Sequence, residues 1–270
     1  MEYVECAPPT ALRGMVRCLW ALRVTASGSP VQTLVPDGRT EIVVHLGEPF
    51  SEVGSDGSVT LQARALVAGQ LTGPLLIQPA VGGEALGIRF HTAGAASVFR
   101  GVLPDLTNRV LPLRDVMPAL EQRFFDALRR AQTLEERLAH LGATLGSVVR
   151  RPVDQALHHA VRALECHGGS AGRIQAVARD QGVSVRTLER RVHVGTGLSP
   201  STLAQVMRFS RVFVSLDRTP VGRWGRVAQD AGYFDQAHMI REFRRFAGAA
   251  PTHFFQCDPA LARAFASDEA

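Results

Sequence analysis

The chain has 270 residues, 46% hydrophobic and 20% charged, a balance that fits a folded globular protein of two domains and excludes a disordered or fibrous one. Its net charge of +5 is uneven: residues 1–150 hold 14 Arg against 14 Asp and Glu, and residues 151–270 hold 16 Arg against 11. The whole basic excess therefore lies in the second part, as contact with nucleic acid would require.

No run of about 18 apolar residues occurs, so no transmembrane helix is expected. The opening MEYVECAPPTALRG has acidic residues, two prolines and no basic start, so no signal peptide is expected either. Cys6, Cys18, Cys166 and Cys257 are scattered without CxxC spacing. That pattern predicts a cytoplasmic chain with free thiols and no zinc site or other cofactor. All 30 basic residues are Arg, and the neutral part lacks Lys too, so this choice reflects a compositional bias rather than phosphate affinity.

Residues 1 to about 90 read as β. Val31–Val35 and Thr40–Leu46 are β-branched runs, and Pro36-Asp37-Gly38 between them is a turn signature. Short runs follow at Ser58–Leu61, Leu66–Ala68, Leu75–Gln78 and Ala85–Phe90. Such spacing predicts a small antiparallel barrel or sandwich, with Trp20 in its core. Arg89 and His91 flank Phe90 on a strand, so both would lie on the face opposite Phe90. With His45 they form a candidate site for an acidic effector, and a solvent-facing role for them stays open. No HxH occurs, so a metal-binding barrel is not expected.

From Gly94 the pattern turns helical. Ala95–Gly101 reads as a short helix, Pro104–Arg114 has no clean period, and Met117–Arg130 and Thr133–Val149 read as helices. Thr133-Leu-Glu-Glu136 is a capping box, and Leu134, Leu138, Leu141 and Leu145 form a stripe. The stripe serves either dimerisation or packing on the β domain. Arg150-Arg151-Pro152 marks the junction, and Val153, Ala156, Leu157, Ala160, Val161 and Leu164 make the apolar face of the next helix. His158, His159, Cys166 and His167 have metal-ligating side chains, but adjacent residues point in different directions on a helix, so no metal site is expected.

The stretch from Val177 to Pro200 occurs twice. Val177-Ala178, Asp180 and Gly182 recur 50 positions later as Val227-Ala228, Asp230 and Gly232. After one inserted residue, Leu188, Val192, Gly197 and Pro200 match Met239, Phe243, Gly248 and Pro251. Each copy predicts a helix, a glycine turn and a second helix capped by Ser184 or Asp235, with Phe246 completing the inner face of the second copy. Two helices joined this way form a helix-turn-helix, whose second helix enters a DNA major groove. The outward faces carry Arg186, Thr187, Arg190 and Arg191 in one copy and Gln236, His238, Arg241, Arg244 and Arg245 in the other. Arginine forks match guanine, and glutamine pairs with adenine. Between the copies, Pro200–Leu216 predicts a long helix. Its Leu203, Val206, Met207 and Val214 face the two units, and Arg208 and Arg211 reach phosphate.

The motifs IQAVARDQGVSVRTLERRV, GLSP with MRFSR, and VAQDAGYFDQAHMIREFRRFAGAAPTHFF resemble the DNA-binding domain of AraC-type transcription regulators, over about Val153 to Gln256. The resemblance implies two helix-turn-helix units joined by a rigid helix, with both recognition helices in successive major grooves of one DNA face. By position it makes Arg186, Thr187 and Arg190 base readers in unit one, and Gln236, Ala237, His238 and Arg241 in unit two. Val192 departs from it, standing where a larger aromatic is common. The stretches PDGRTEIVVHLGEPF, GQLTGP and GIRFHTAGAASVFRG resemble an uncharacterised module found ahead of such domains, which implies a regulatory, cupin-like barrel.

The expected architecture is α+β. Residues 1–115 form a β-rich sensor domain, 116–150 a helical linker or dimerisation region, 151–257 the double helix-turn-helix domain, and 258–270 a loose tail. The expected function is a bacterial DNA-binding transcription regulator, not an enzyme, with double-stranded DNA as partner. RNA polymerase contact, a small-molecule effector and a homodimer stay open. A DNA-repair alkyltransferase would need a reactive cysteine context that Cys6 and Cys18 lack. A ligand-binding or enzymatic barrel with a structural helical half is the other alternative.

Overall fold

In the computed structural model, residues 1–25, 30–99, 101–149, 152–167, 170–218 and 222–256 are described. The expected tail at 258–270, Cys257, the Arg150-Arg151 junction and the side chain of His167 lie outside the described residues.

Among the described residues, the N-terminal part has ten strands and four α-helices in three layers. The strands are β1 (Glu2–Cys6), β2 (Val16–Arg23), β3 (Gln32–Leu34), β4 (Glu41–His45), β5 (Ser51–Val53), β6 (Val59–Leu61), β7 (Ala65–Ala68), β8 (Leu75–Gln78), β9 (Glu84–Phe90) and β10 (Val110–Pro112). They make a six-stranded sheet in the order β1-β2-β9-β4-β7-β10 and a four-stranded sheet in the order β3-β8-β5-β6, with antiparallel pairing throughout. Neither sheet closes on itself, so the antiparallel domain is an open sandwich and not a barrel.

Alternation along β2 serves both faces of the large sheet. Cys18, Trp20 and Leu22 pack toward the small sheet, with Phe50 and Ile77. Leu19 and Ala21 pack on the other face, against helices. Those helices are α1 (Leu103–Leu106), α2 (Leu113–Val116), α3 (Pro118–Leu128) and α4 (Leu134–Val148). On α4 the capping box forms as expected: Thr133 Oγ1 accepts from Glu136 N, and Glu136 accepts from Thr133 N. Leu138, Leu141 and Leu145 are buried with Leu120, Phe124 and the sheet, so the stripe packs on the β domain.

The stretch Ala95–Gly101, expected as a short helix, holds a single 3-10 turn at Gly94–Ser97. Pro104–Arg114, which had no period, breaks into α1, β10 and the start of α2.

The C-terminal part is all helical: α5 (Gln155–His167), α6 (Ala171–Asp180), α7 (Val185–Thr196), α8 (Pro200–Arg218), α9 (Trp224–Asp230), α10 (Gln236–Ala247) and α11 (Pro251–Gln256). Each repeat copy is a helix pair, α6–α7 and α9–α10, and α8 runs between them. Leu203, Val206 and Met207 of α8 are buried as expected, but Val214 is not. Phe209, Val212 and Phe213 fill that role, because they continue the buried side of the helix three and four residues on from Val206 and Phe209. Phe209, Phe213, Phe243, Phe246 and Phe254 meet with ring centroids 5.1–6.1 Å apart. This cluster fastens α8, α10 and α11 together. Truncating one such fully buried ring costs about 3–5 kcal/mol.

The two parts touch. Val35 and Ala93 of the N-terminal part belong to the core cluster of the C-terminal helices. Thr107 Oγ1 donates to the carbonyl of Gly197 at 3.1 Å.

Candidate nucleic-acid interface

The two units share one local construction. At the turns, Gly182 and Gly232 have φ of 64° and 85°. At the ends of α7 and α10, Gly197 and Gly248 close the helices in the left-handed region, with φ of 86° and 77°. Only glycine takes that conformation without strain, which explains its place at all four sites. At the helix starts, Ser184 Oγ accepts from Thr187 N at 3.2 Å, and Asp235 Oδ1 accepts from His238 N at 2.6 Å. Leu188 and Val192 face inward on α7, and Met239, Phe243 and Phe246 on α10; all five are fully buried. Val192 is fully buried in unit one.

With those faces committed to the core, the opposite faces are exposed. On α7 they present Arg186 and Arg190, one turn apart. On α10 they present Gln236, Ala237, Arg241, Arg244 and Arg245. The exposed side of each second helix thus combines guanidinium forks with few competing acids, the chemistry that guanine edges and phosphates accept.

Several of the expected residues also have partners within the protein. Thr187 is half-buried, with its hydroxyl 2.9 Å from Ser184 Oγ. Arg191 donates to Gln181 Oε1 at 2.8 Å, and Gln181 donates in turn to the Ala156 carbonyl, so Arg191 braces unit one to α5. His238 is edge-on to Tyr233 at 5.3 Å. Arg245 lies over the Phe246 ring and donates to Gln205 Oε1 at 3.1 Å while staying exposed.

Arg208 and Arg211, read from the sequence as phosphate contacts, are tied up within the domain. Arg208 forks onto Glu242, with Nη2 to Oε1 at 2.6 Å and Nε to Oε2 at 3.3 Å, and lies 4.8 Å from the Tyr233 ring. Burial works against its charge, but the Glu242 carboxylate more than offsets this and holds its pKa above the usual arginine value. Arg211 Nη1 donates to the Glu165 carbonyl at 3.2 Å, bridging α8 to α5. Glu242 and Tyr233, which hold Arg208, had no sequence signal beyond lying in the second motif. Phe234 was also missed: it precedes the Asp235 cap and is 93% exposed.

The three residues expected at an effector site are not brought together. Arg89 is fully buried, because register pairs it directly with Glu41 across β9 and β4. Its Nε donates to Glu41 at 2.5 Å, and Nη1 lies 3.4 Å from Glu5. Burial opposes its charge, yet Glu41 and Asp37 hold the guanidinium protonated. It is a cross-strand ion pair in the core and not a solvent-facing group.

His45 is fully buried against Phe50, and its Nε2 lies 3.2 Å from Gln62 Oε1. That contact requires the proton on Nε2 and leaves Nδ1 without a partner. Burial lowers its pKa to about 4. It lines a cavity of about 80 Å³ between the sheets, with Trp20, Asp37, Phe50 and Gln62. His91, past the end of β9, lines a different cleft, shared with Arg13, His158 and Arg162. Burial first and nearby arginines second lower its pKa.

His158 and His159 have ring centroids 6.3 Å apart, and no metal-ligating cluster occurs among the described residues. Cys6, Cys18 and Cys166 are free thiols. No helix among the described residues is long and apolar enough to cross a membrane.

Comparison with known proteins places two families along the chain. Residues 177–256 match a family described as a helix-turn-helix domain, and residues 4–112 match one described as a domain of unknown function. Comparison with curated proteins gives no significant match. Among solved structures, ToxT from Vibrio cholerae is 12% identical, with a TM-score of 0.48 over 88% of this chain and 98% of that chain. An unsaturated-fatty-acid-bound ToxT from Vibrio cholerae strain SCE256 is 10% identical, with a TM-score of 0.45 over 93% of this chain and 97% of that chain. The AraC-like transcriptional activator CuxR is 14% identical, with a TM-score of 0.27 over 77% of this chain and 81% of that chain. The chain thus sets a helix-turn-helix domain behind an N-terminal domain of unknown function.

Proposed function

We propose that the protein is a sequence-specific DNA-binding transcription regulator that lays α7 and α10 into successive major grooves. The observation that carries this is the repetition of one construction. Both units have the same left-handed glycines at the turn and helix end, the same side-chain cap and the same inward apolar face. Each leaves an arginine-bearing face exposed, joined in unit one by Glu189. An isolated helical hairpin needs none of that agreement. Arg186 and Arg190 read bases from unit one, and Gln236, Ala237 and Arg241 from unit two. Arg244 and Arg245, further along α10, contact phosphate.

In this reading the N-terminal domain regulates. Leu103 of its helix α1 and the following Thr107 adjoin Gly197 at the end of the first recognition helix. A change in that domain therefore reaches the DNA surface directly. The buried Arg89–Glu41 pair ties β9 to β4, and its Glu41 also lines the cavity between the sheets.

Hydroxyl-radical footprinting on a fragment enriched from random DNA tests the proposal. Two protected windows on one face of the duplex, about 10 base pairs apart, are expected. A single window, or protection that is uniform along the fragment, contradicts it.

A further inference from the structure

Phe234 stands apart from every other large apolar side chain among the described residues. It is 93% exposed, against 65% for Val81, the next on that scale. The neighbour Tyr233 is 6% exposed and packs inward against His238 and Arg208, so the backbone turns these two adjacent rings to opposite sides. Asp235 caps α10 directly after Phe234, and Gln236 and Ala237 continue the exposed run. The ring therefore stands at the leading end of the second recognition helix, beside its first base-reading positions. Helix-turn-helix proteins contact base edges with that end of the helix. In the major groove the one apolar feature of a base edge is the thymine C5-methyl, and Phe is among the side chains that meet it.

We infer that Phe234 is a specificity-determining residue that packs on a thymine methyl at the outer edge of the unit-two half-site. The inference rests on the DNA-reading role of α10 proposed above. It differs from that role in kind, because a methyl contact makes no hydrogen bond and carries no charge. It predicts that the unit-two block contains a thymine read by its methyl group alone. Affinity would then respond to loss of the methyl while the Watson–Crick pair stays intact.

Deoxyuridine substitution makes that change. Each thymine in the unit-two block of a selected site is replaced in turn, and binding of the full chain is measured at fixed salt. One position should weaken binding about fourfold, which corresponds to ~0.8 kcal/mol for one buried methyl. In Phe234→Ala the same replacement should have no effect, since the two changes remove one contact and must not add. At that position 5-methylcytosine should bind better than cytosine with the wild-type chain only. The exposed ring supports no folded-state contact, so the variant should melt with wild type.

A block without thymine overturns the inference. So does a wild-type chain indifferent to uracil, or a uracil effect of equal size in wild type and Phe234→Ala. A chain that selects no DNA site overturns the DNA-reading proposal itself and this inference with it.

Discussion

Arg208→Ala separates two roles that the sequence alone leaves equivalent. If Arg208 contacted phosphate, its loss would weaken DNA binding uniformly and lower the slope of log K against log salt by about 1. In the structure it acts as a brace instead, because its fork closes on Glu242 and ties α8 to the second recognition helix. The side chains are 20% and 11% exposed, so the pair lies nearer the buried than the surface limit. Exposed pairs contribute about 0–1 kcal/mol, and breaking a fully buried one costs about 3–5 kcal/mol. Here a loss of about 2 kcal/mol is expected, part of it from the stacking on Tyr233. At about 2–4 °C per kcal/mol for a chain of this size class, Tm should fall roughly 4–8 °C. A double-mutant cycle with Glu242→Ala should return a coupling of about 1–2 kcal/mol. The salt slope of binding, measured by fluorescence anisotropy below the melting range, should be unchanged. An unchanged Tm with a slope lowered by about 1 would refute the bracing role and restore the phosphate contact.

Three further outcomes follow from the same geometry. His45, with a folded pKa near 4 against an unfolded value near 6.5, binds fewer protons when folded. Stability should therefore be at its full value above pH 6.5 and decline as pH falls toward 4, by roughly 3 kcal/mol in all. His45→Gln should flatten that segment of a urea-denaturation series against pH, and an equally steep segment in the variant would remove His45 as its source. Gly182→Ala and Gly197→Ala impose similar backbone strain, about 1–2 kcal/mol each. At Gly197, however, a Cβ would lie 2.5 Å from Thr107 Oγ1 and 2.7 Å from the Leu103 carbonyl, while Gly182 faces open space. Thermal melts should show Gly197→Ala clearly the more damaging, and equal losses would argue against the contact between the two parts. Finally, α8 buries Leu203, Val206, Phe209, Val212 and Phe213 in the core it shares with both units, and a stiff linker that holds the recognition helices closer than the ~34 Å of straight DNA bends it, at about 1–6 kcal/mol. A phasing gel assay should show a modest bend, and none would mean the units fit straight DNA.

The C-terminal domain was legible because its signals are local. Caps at Ser184 and Asp235, left-handed glycines and apolar spacing within one helix can all be read within a dozen residues, and repetition reinforced them. β2 was missed for the opposite reason. Cys18 to Leu22 is buried on both faces of the large sheet, so it shows no alternation, and of its two neighbours β1 and β9 the second lies more than 60 residues away. The same distance in sequence hides the partners of two arginines. Arg89 meets Glu41 and Arg208 meets Glu242 only after the chain has folded, 48 and 34 positions apart. Phe234 was overlooked because an exposed aromatic and a buried one look alike beside Tyr233 until the backbone turn is known.

The measurement that bears most directly on the central claim is selection from random DNA by the full chain and by Arg190→Ala and Arg241→Ala, at near-physiological salt. The wild type should enrich two short blocks about one helical turn apart. Each variant should lose definition in one block only, with ~1–3 kcal/mol lost on the original site. A single block, no enriched motif, or both blocks degrading together in each variant would contradict the account of two independent reading helices.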